Sequence, residues 1–280
     1  MKAAFGALSE EFVTAPRVVI VGGGFGGLYA ARELIGAPVH VTLIDKRNYH
    51  LFRPMPNQVA TGLLSSDEIA APLRCILSRQ LNMDVPMDEV IGIDSVNRLV
   101  CLRDRAVPYD FLILATGIHC NYFGYDERRA IATPLESLEG ADIIRTRVQA
   151  AQERAESIAA YGEADVEEIR RQLTFVLVGG GAVGVDTAHV VAPARNLIGI
   201  PSSEPMVLPG VAQLAIQEGK YVSRLIRKRV KNRSAPALFW YWIREIWLLS
   251  AGLTQLRISV SCAFGESRRG SSGRRFTSIF

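Results

Sequence analysis

Residues 17–45, RVVIVGGGFGGLYAARELIGAPVHVTLID, decide the fold. The run VVIV is short and apolar throughout, the composition of a strand covered on both faces. Gly22, Gly24 and Gly27 follow it as G-x-G-x-x-G. In that spacing the first glycine permits the tight turn, the second lets a pyrophosphate reach the backbone, and the third lets the next helix pack closely on the strand. The helix then begins with free N–H groups and a partial positive charge aimed at the phosphates. A second strand ends at Asp45, 18 residues beyond Gly27, where a carboxylate can accept hydrogen bonds from a ribose. Glycine-rich turns also arise for structural reasons alone. The flanking strands, helix and acid are what mark this one as a dinucleotide site. An acid here favours an unphosphorylated 2′-hydroxyl, as in FAD or NAD, over NADP.

Past Asp45 the chain is polar and proline-bearing, and the spacing of Ile69, Leu73, Ile76 and Leu77 predicts a helix with these residues on one face. Residues 89–117 predict a small β-meander ending in the buried strand YDFLILATG. Residues 135–159 and the segment EADVEEIRRQL predict two helices, after which TFVLV opens a second strand with its own glycine turn at Gly179, Gly181 and Gly184. Two such turns suggest two dinucleotides, a flavin beside a nicotinamide being the common pairing in electron transfer. One working site beside a structural copy is the alternative.

A chain of 280 residues, 49% hydrophobic, can bury a sizeable core as one large or two moderate domains. Its net charge of +4 is unevenly spread: residues 220–280 hold 13 Lys and Arg against 2 Asp and Glu, so the body is acidic and the tail basic. A case for nucleic acid could rest only on that tail, and none is expected as a partner. Cys75, Cys101, Cys120 and Cys262 form no close pair, which speaks against a zinc site or a local redox dithiol and fits a reduced cytoplasmic chain. His40, His50, His119 and His189 are too scattered for a ligand set and are expected to be structural or surface residues, with His50 the exception considered below. No charged-then-apolar leader opens the sequence, and no run reaches the ~18 apolar residues that span a bilayer.

The residues carry a specific resemblance. Residues 17–74, then YDFLILATG, NYFGYDE, LTFVLVGGGAVGVD and LPGVAQLAIQEGKYVSRLI, are similar to type II NADH dehydrogenases, single-subunit NADH:quinone oxidoreductases that do not pump protons. The resemblance implies non-covalent FAD, hydride transfer from NADH to the flavin, and a quinone as acceptor. It assigns FAD phosphate contact to Gly22, Gly24 and Gly27 with their neighbours Phe25 and Gly26, and ribose contact to Asp45, flanked by Lys46 and Arg47. Ala115, Thr116 and Gly117 would lie against the flavin, and His50 would help position it. Gly179, Gly181 and Gly184 would face the NADH pyrophosphate, with Asp186 close to the nicotinamide. Gln213 and Gln217 would line the quinone pocket; their i, i+4 spacing puts both amides on one helix face, where they can bond quinone carbonyls without adding charge. A peripheral position on the inner face of the cell membrane and a homodimer are further expectations of the same kind.

The chain also departs from the family pattern. Asp186 stands where a Glu is usual and Val183 where a Thr is usual, and the stretch from Arg53 differs from the common Gln-Pro-Leu-Leu-Tyr at Arg53, Met55, Pro56 and Asn57. After Gly184, Pro193 interrupts the helix, LPGVAQ arrives almost at once, and no Gly-Asp dipeptide occurs to mark the later strand that holds the flavin. NLIGIPSSE, ending at Glu204, is the one stretch that could stand in for the missing strand and acid; Pro201 and the short helix argue against it, and no such strand is expected. Past Trp242 the sequence leaves the family. Ile243 to Trp247 read as family codons shifted by one nucleotide, which resequencing of the gene would check.

The expected fold is therefore α/β: a Rossmann-like FAD/NAD(P)-binding domain, a parallel sheet with helices and a small meander, plus a truncated second βαβ unit. The expected division is an N-terminal tail (1–16), the first part of an FAD domain (17–125), a truncated NADH domain (126–205), a returning helix at the FAD and quinone site (206–236), and an aberrant, poorly ordered tail (237–280). The expected function is FAD-dependent NADH:quinone oxidoreduction. The rival is a non-catalytic nucleotide-binding remnant of such an enzyme.

Overall fold

The computed structural model describes residues 15–120, 122, 124–161, 165–178, 196–200, 212–234, 246–248 and 256–258. In chain order the elements begin with β1 (Arg17–Val21), α1 (Phe25–Glu33), β2 (His40–Ile44), β3 (Tyr49–Leu51) and α2 (Pro56–Ala60). Next come β4 (Ala70–Pro72), α3 (Leu73–Ile76), β5 (Met83–Asp84), β6 (Val90–Asp94), β7 (Leu99–Leu102), β8 (Ala106–Pro108) and β9 (Phe111–Leu114). The remainder are α4 (Leu138–Tyr161), α5 (Val166–Gln172), β10 (Thr174–Val178), β11 (Asn196–Ile200), α6 (Ala212–Val230), β12 (Ile246–Leu248) and β13 (Leu256–Ile258).

The central sheet is parallel, in the order β5-β2-β1-β9. β1 is apolar throughout because its alternate residues enter two different cores. Val18 and Ile20 pack with Leu28, Leu34 and Ile226 on the α1–α6 side, whereas Val19 and Val21 pack with Val100, Leu102 and Tyr109 of the meander side. The period-2 alternation of a strand thus becomes two hydrophobic layers. Each fully buried Val, Leu or Ile contributes ~1.5–3 kcal/mol relative to an exposed one.

The C-terminal end of α1 needs partners for its free carbonyls, and distant side chains supply them. Gln80 Nε2 donates to the Ala31 carbonyl at 2.9 Å, and Asn82 Nδ2 donates to the Leu34, Ala37 and Val39 carbonyls at 3.0–3.2 Å. Arg227 Nη1 donates to the Glu33 carbonyl at 2.8 Å. α6 lies directly on α1: a Cβ on Gly219 would overlap the Gly26 carbonyl oxygen, and Ser223 Oγ donates to the Ala30 carbonyl at 2.9 Å.

Three expectations need correction. The helix predicted from Ile69 to Leu77 shrinks to α3, because Pro72 and the extended residues before it make β4, which pairs antiparallel with β3. Ile69 consequently packs with Leu51 and Val59, while Leu73 and Leu77 join the α1 core. The meander holds only β6, β7 and β8; β9 leaves it and pairs parallel with β1. Finally, NLIGI does form a strand: β11 pairs parallel with β10, Thr174 opposite Asn196 through Val178 opposite Ile200. Its β-branched and aliphatic residues satisfy the strand pattern despite the proline that follows. Within the tail expected to be poorly ordered, β12 and β13 pair antiparallel.

Candidate functional site

From β1 the chain crosses through α1 to β2 on one side, and later returns to β9 on the other. The order in which strands are added therefore switches sides at β1, and the crevice outside the carboxyl ends of β1 and β9 is where such sheets bind ligands. The first glycine turn and the ATG turn meet there. Gly22 donates its N–H to the Ile44 carbonyl at 2.8 Å, Ala115 donates to the Val21 carbonyl at 2.8 Å, and a Cβ on Gly22 would overlap the Ala115 carbonyl. Gly22 has φ +104° and Gly117 φ +79°, conformations that side chains strain.

The remaining glycines do different work. A Cβ on Gly27 would overlap the Gly22 carbonyl oxygen, so its absence lets α1 start tight against the turn. Gly24, the N-cap of α1, faces open space: nothing lies within 4 Å of a Cβ built there. α1 has no side-chain cap and no acid in its first turn. Its N-terminal N–H groups and partial positive charge are left for an anion.

These turns wall one part of a cleft of about 640 Å³. Asp45, Lys46 and Arg47 form its β2 side. Asp45 Oδ2 accepts from Gly23 N–H at 2.5 Å and Oδ1 from Arg47 N–H at 2.8 Å, which fixes the carboxylate at the rim with lone pairs to spare. Behind the turn, His50 Nδ1 donates to the Gly23 carbonyl at 3.0 Å, and its ring meets Phe25 edge to face at 4.8 Å. The predicted residues Gly22, Gly24, Asp45, Lys46, Arg47, Ala115, Thr116 and Gly117 thus share one cleft. Phe25, Gly26, Gly27 and His50 brace it from behind.

α6 carries the predicted glutamines. Gln217 is half-buried, two residues before the Gly219–Gly26 crossing. The backbone of Gln213 belongs to the first turn of α6. Gly179, Gly181, Gly184 and Asp186 lie outside the described residues.

Beyond Ala115–Gly117, sequence reasoning missed the charged residues on the β9 side of the cleft. There Glu136, whose side chain is 14% exposed, sits 3.8 Å from Arg53, 3.7 Å from Arg129 and 3.4 Å from His119, and accepts from Cys120 N–H at 2.9 Å. Burial pushes the Glu136 carboxyl up, but the Cys120 N–H, His119 and Arg53 outweigh it and hold it below the usual carboxylate range. Burial, with Glu136 beside it, pushes the Cys120 thiol up. Arg53 also donates to the Ile118 carbonyl at 3.1 Å. The only sequence signal was the unusual basic residue at Arg53. Glu136, Arg129 and His119 lie along the one connection between β9 and α4, at no periodic spacing.

Comparison with known proteins agrees with the topology. The chain is 43% identical over 212 residues to the type II NADH:quinone oxidoreductase NdhA of Mycobacterium tuberculosis (strain ATCC 25618 / H37Rv), covering 69% of this chain and 44% of that protein. It is 40% identical over 180 residues to Ndh of the same organism, covering 63% and 38%. The chain therefore spans less than half the length of these relatives. Among solved structures, NDH2 from Plasmodium falciparum in complex with NADH superposes with a TM-score of 0.57 at 24% identity, over 64% of this chain and 37% of that one, which supports the fold. Residues 16–233 match the pyridine nucleotide-disulphide oxidoreductase family. With a switch-point cleft, a glycine turn under an uncapped helix and an acid at the second strand, the chain belongs to that family.

Proposed function

We propose that this chain binds FAD in the switch-point cleft and descends from, and acts as, an NADH:quinone oxidoreductase. The observation that carries the reading is the joint cradle of Gly22–Gly24, Asp45 and Ala115–Gly117 at the carboxyl ends of β1, β2 and β9. Its chemistry fits a dinucleotide: free helix N–H groups and open space at Gly24 suit the pyrophosphate, and the fixed Asp45 carboxylate suits a ribose hydroxyl. Bound FAD would accept two electrons from NADH and pass them to the quinone. The protein's part is placement. Gly22 and Gly24 let the phosphates approach, Asp45 fixes the ribose end, and His50 and Phe25 hold the turn in shape.

On this reading residues 17–125 and the returning helix in 206–236 form the FAD part, and 126–205 the NADH part with β10 and β11 as its strands. Gln213 and Gln217 serve the quinone, and Asp186 the nicotinamide. Among the described residues no helix is long and apolar enough to cross a membrane, so contact with a membrane quinone would be from one side. A homodimer in the cytoplasm, at the inner face of the membrane, completes the proposal.

A second reading has one observation in its favour: the chain covers 44% of NdhA, so it could retain nucleotide binding without turnover. The test is the visible spectrum of the purified protein, followed by anaerobic NADH. A flavin band that bleaches supports the oxidoreductase. A flavin band that persists leaves the binding remnant, and a protein that stays colourless after incubation with FAD overturns the cofactor assignment.

A further inference from the structure

The cleft is electrically lopsided. On the β2 side Asp45 stands beside Lys46 and Arg47, while Asp88 and Glu89 are paired with Arg105 and Arg103; on the β9 side, among the described residues of the lining, Arg53, Arg129 and His119 surround one carboxylate, that of Glu136. A dinucleotide whose ribose meets Asp45 and whose pyrophosphate meets the glycine turn has only the β9 side left for its other half. Arg53 is the best-anchored cation there. Its Nη2 donates to the Ile118 carbonyl at 3.1 Å, and its Nη1 lies 3.4 Å from where a Gly117 Cβ would stand, so the guanidinium is laid along the turn that closes the cleft. Glu136 at 3.8 Å tempers that charge without cancelling it, because Arg129 and His119 share the same carboxylate.

We infer that Arg53 and Glu136 form an opposed pair that sets the redox poise of the flavin: Arg53 favours the reduced, more negatively charged form and Glu136 opposes it. This rests on FAD occupying the cleft. The physical ground is general. A fixed cation in a partly water-excluded cleft stabilises whichever state of a ligand carries more negative charge, and a fixed anion does the reverse. Arg53 is therefore a positioning and tuning residue; it clasps the Ala115–Ile118 turn and biases the cofactor bound against it.

The test is spectroelectrochemical titration of the FAD-loaded full chain, with the affinity for oxidised FAD measured in parallel. For Arg53→Gln the preference for reduced over oxidised FAD should drop about tenfold, a fall of about 30 mV for a two-electron couple. Arg53→Lys should restore most of it. Glu136→Gln, whose amide oxygen can still accept from Cys120 N–H, should raise the potential by a comparable amount. Opposite shifts in the two neutral variants support the pair, and the Glu136 variant carries the test alone if Arg53→Gln fails to fold. Unchanged potentials, or shifts of the same sign, with oxidised FAD still bound overturn the inference and leave the flavin reading standing. A wild-type chain that takes up no FAD overturns both.

Discussion

The chain holds two parallel strand pairs built from similar sequence, and they end up in different circumstances. β1 and β2 are flanked by β5 and β9, sealed by α1 and α6 on one face and by the meander on the other. β10 and β11 form a two-stranded sheet among the described residues, and Val176 in β10 is 56% exposed where every residue of VVIV in β1 is buried. A glycine turn after an apolar strand is thus only the beginning of a site. The neighbours on both sides of β1 are what hold its turn in one shape.

The largest effect should come from filling the first turn. Gly22→Val places a Cβ in the Ala115 carbonyl at positive φ, and we expect a loss of at least ~4 kcal/mol together with FAD uptake, read by urea melts and by absorbance. Next, Leu43→Ala in β2 should cost about 3 kcal/mol, whereas Val176→Ala in β10 should stay within about 1 kcal/mol; equal losses would erase the contrast between the two pairs. Gly219→Val should push α6 off α1 at a cost of about 2 kcal/mol and lower protease resistance around residues 212–234, while Gly219→Ala should show a weaker version. The smallest effect concerns acid. Because the folded Glu136 carboxyl sits below its ordinary value, its contribution is present at neutral pH and is lost as pH falls through and below the usual carboxylate range. Glu136→Gln should flatten that limb of the stability profile measured from about pH 7 to 3.

How much of this was legible depended on whether a residue's partner was near in sequence or period. VVIV, the glycines and Asp45 announce themselves because a βαβ turn is local: spacing alone brings Asp45 to the Gly23 N–H. The ATG turn was readable as a strand end, but its partnership with Gly22 needed the parallel pairing of β9 with β1, which a meander reading hid. Pro72 misled in the other direction, since the apolar spacing from Ile69 to Leu77 looks helical until the residues before a proline are required to be extended. β11 was discounted on Pro201, although a proline just past a strand interrupts none of its ladder. Glu136, Arg129 and His119 left no signal at all, because they lie on one irregular connection between β9 and α4 whose spacing follows no period, and it brings them together only after folding.

The clasp of α6 on α1 has a consequence in time. Ser223 and Arg227 complete α1 from 193 and 194 positions downstream, so α1 is translated well before the residues that finish it. At ~5–20 residues per second, about 10–40 s of synthesis separate the two helices. During that interval the apolar groove along Leu28, Ala31 and Leu34 is open to chaperones and to other nascent chains. The nucleotide turn, first to be translated, is among the last parts of the molecule to be secured.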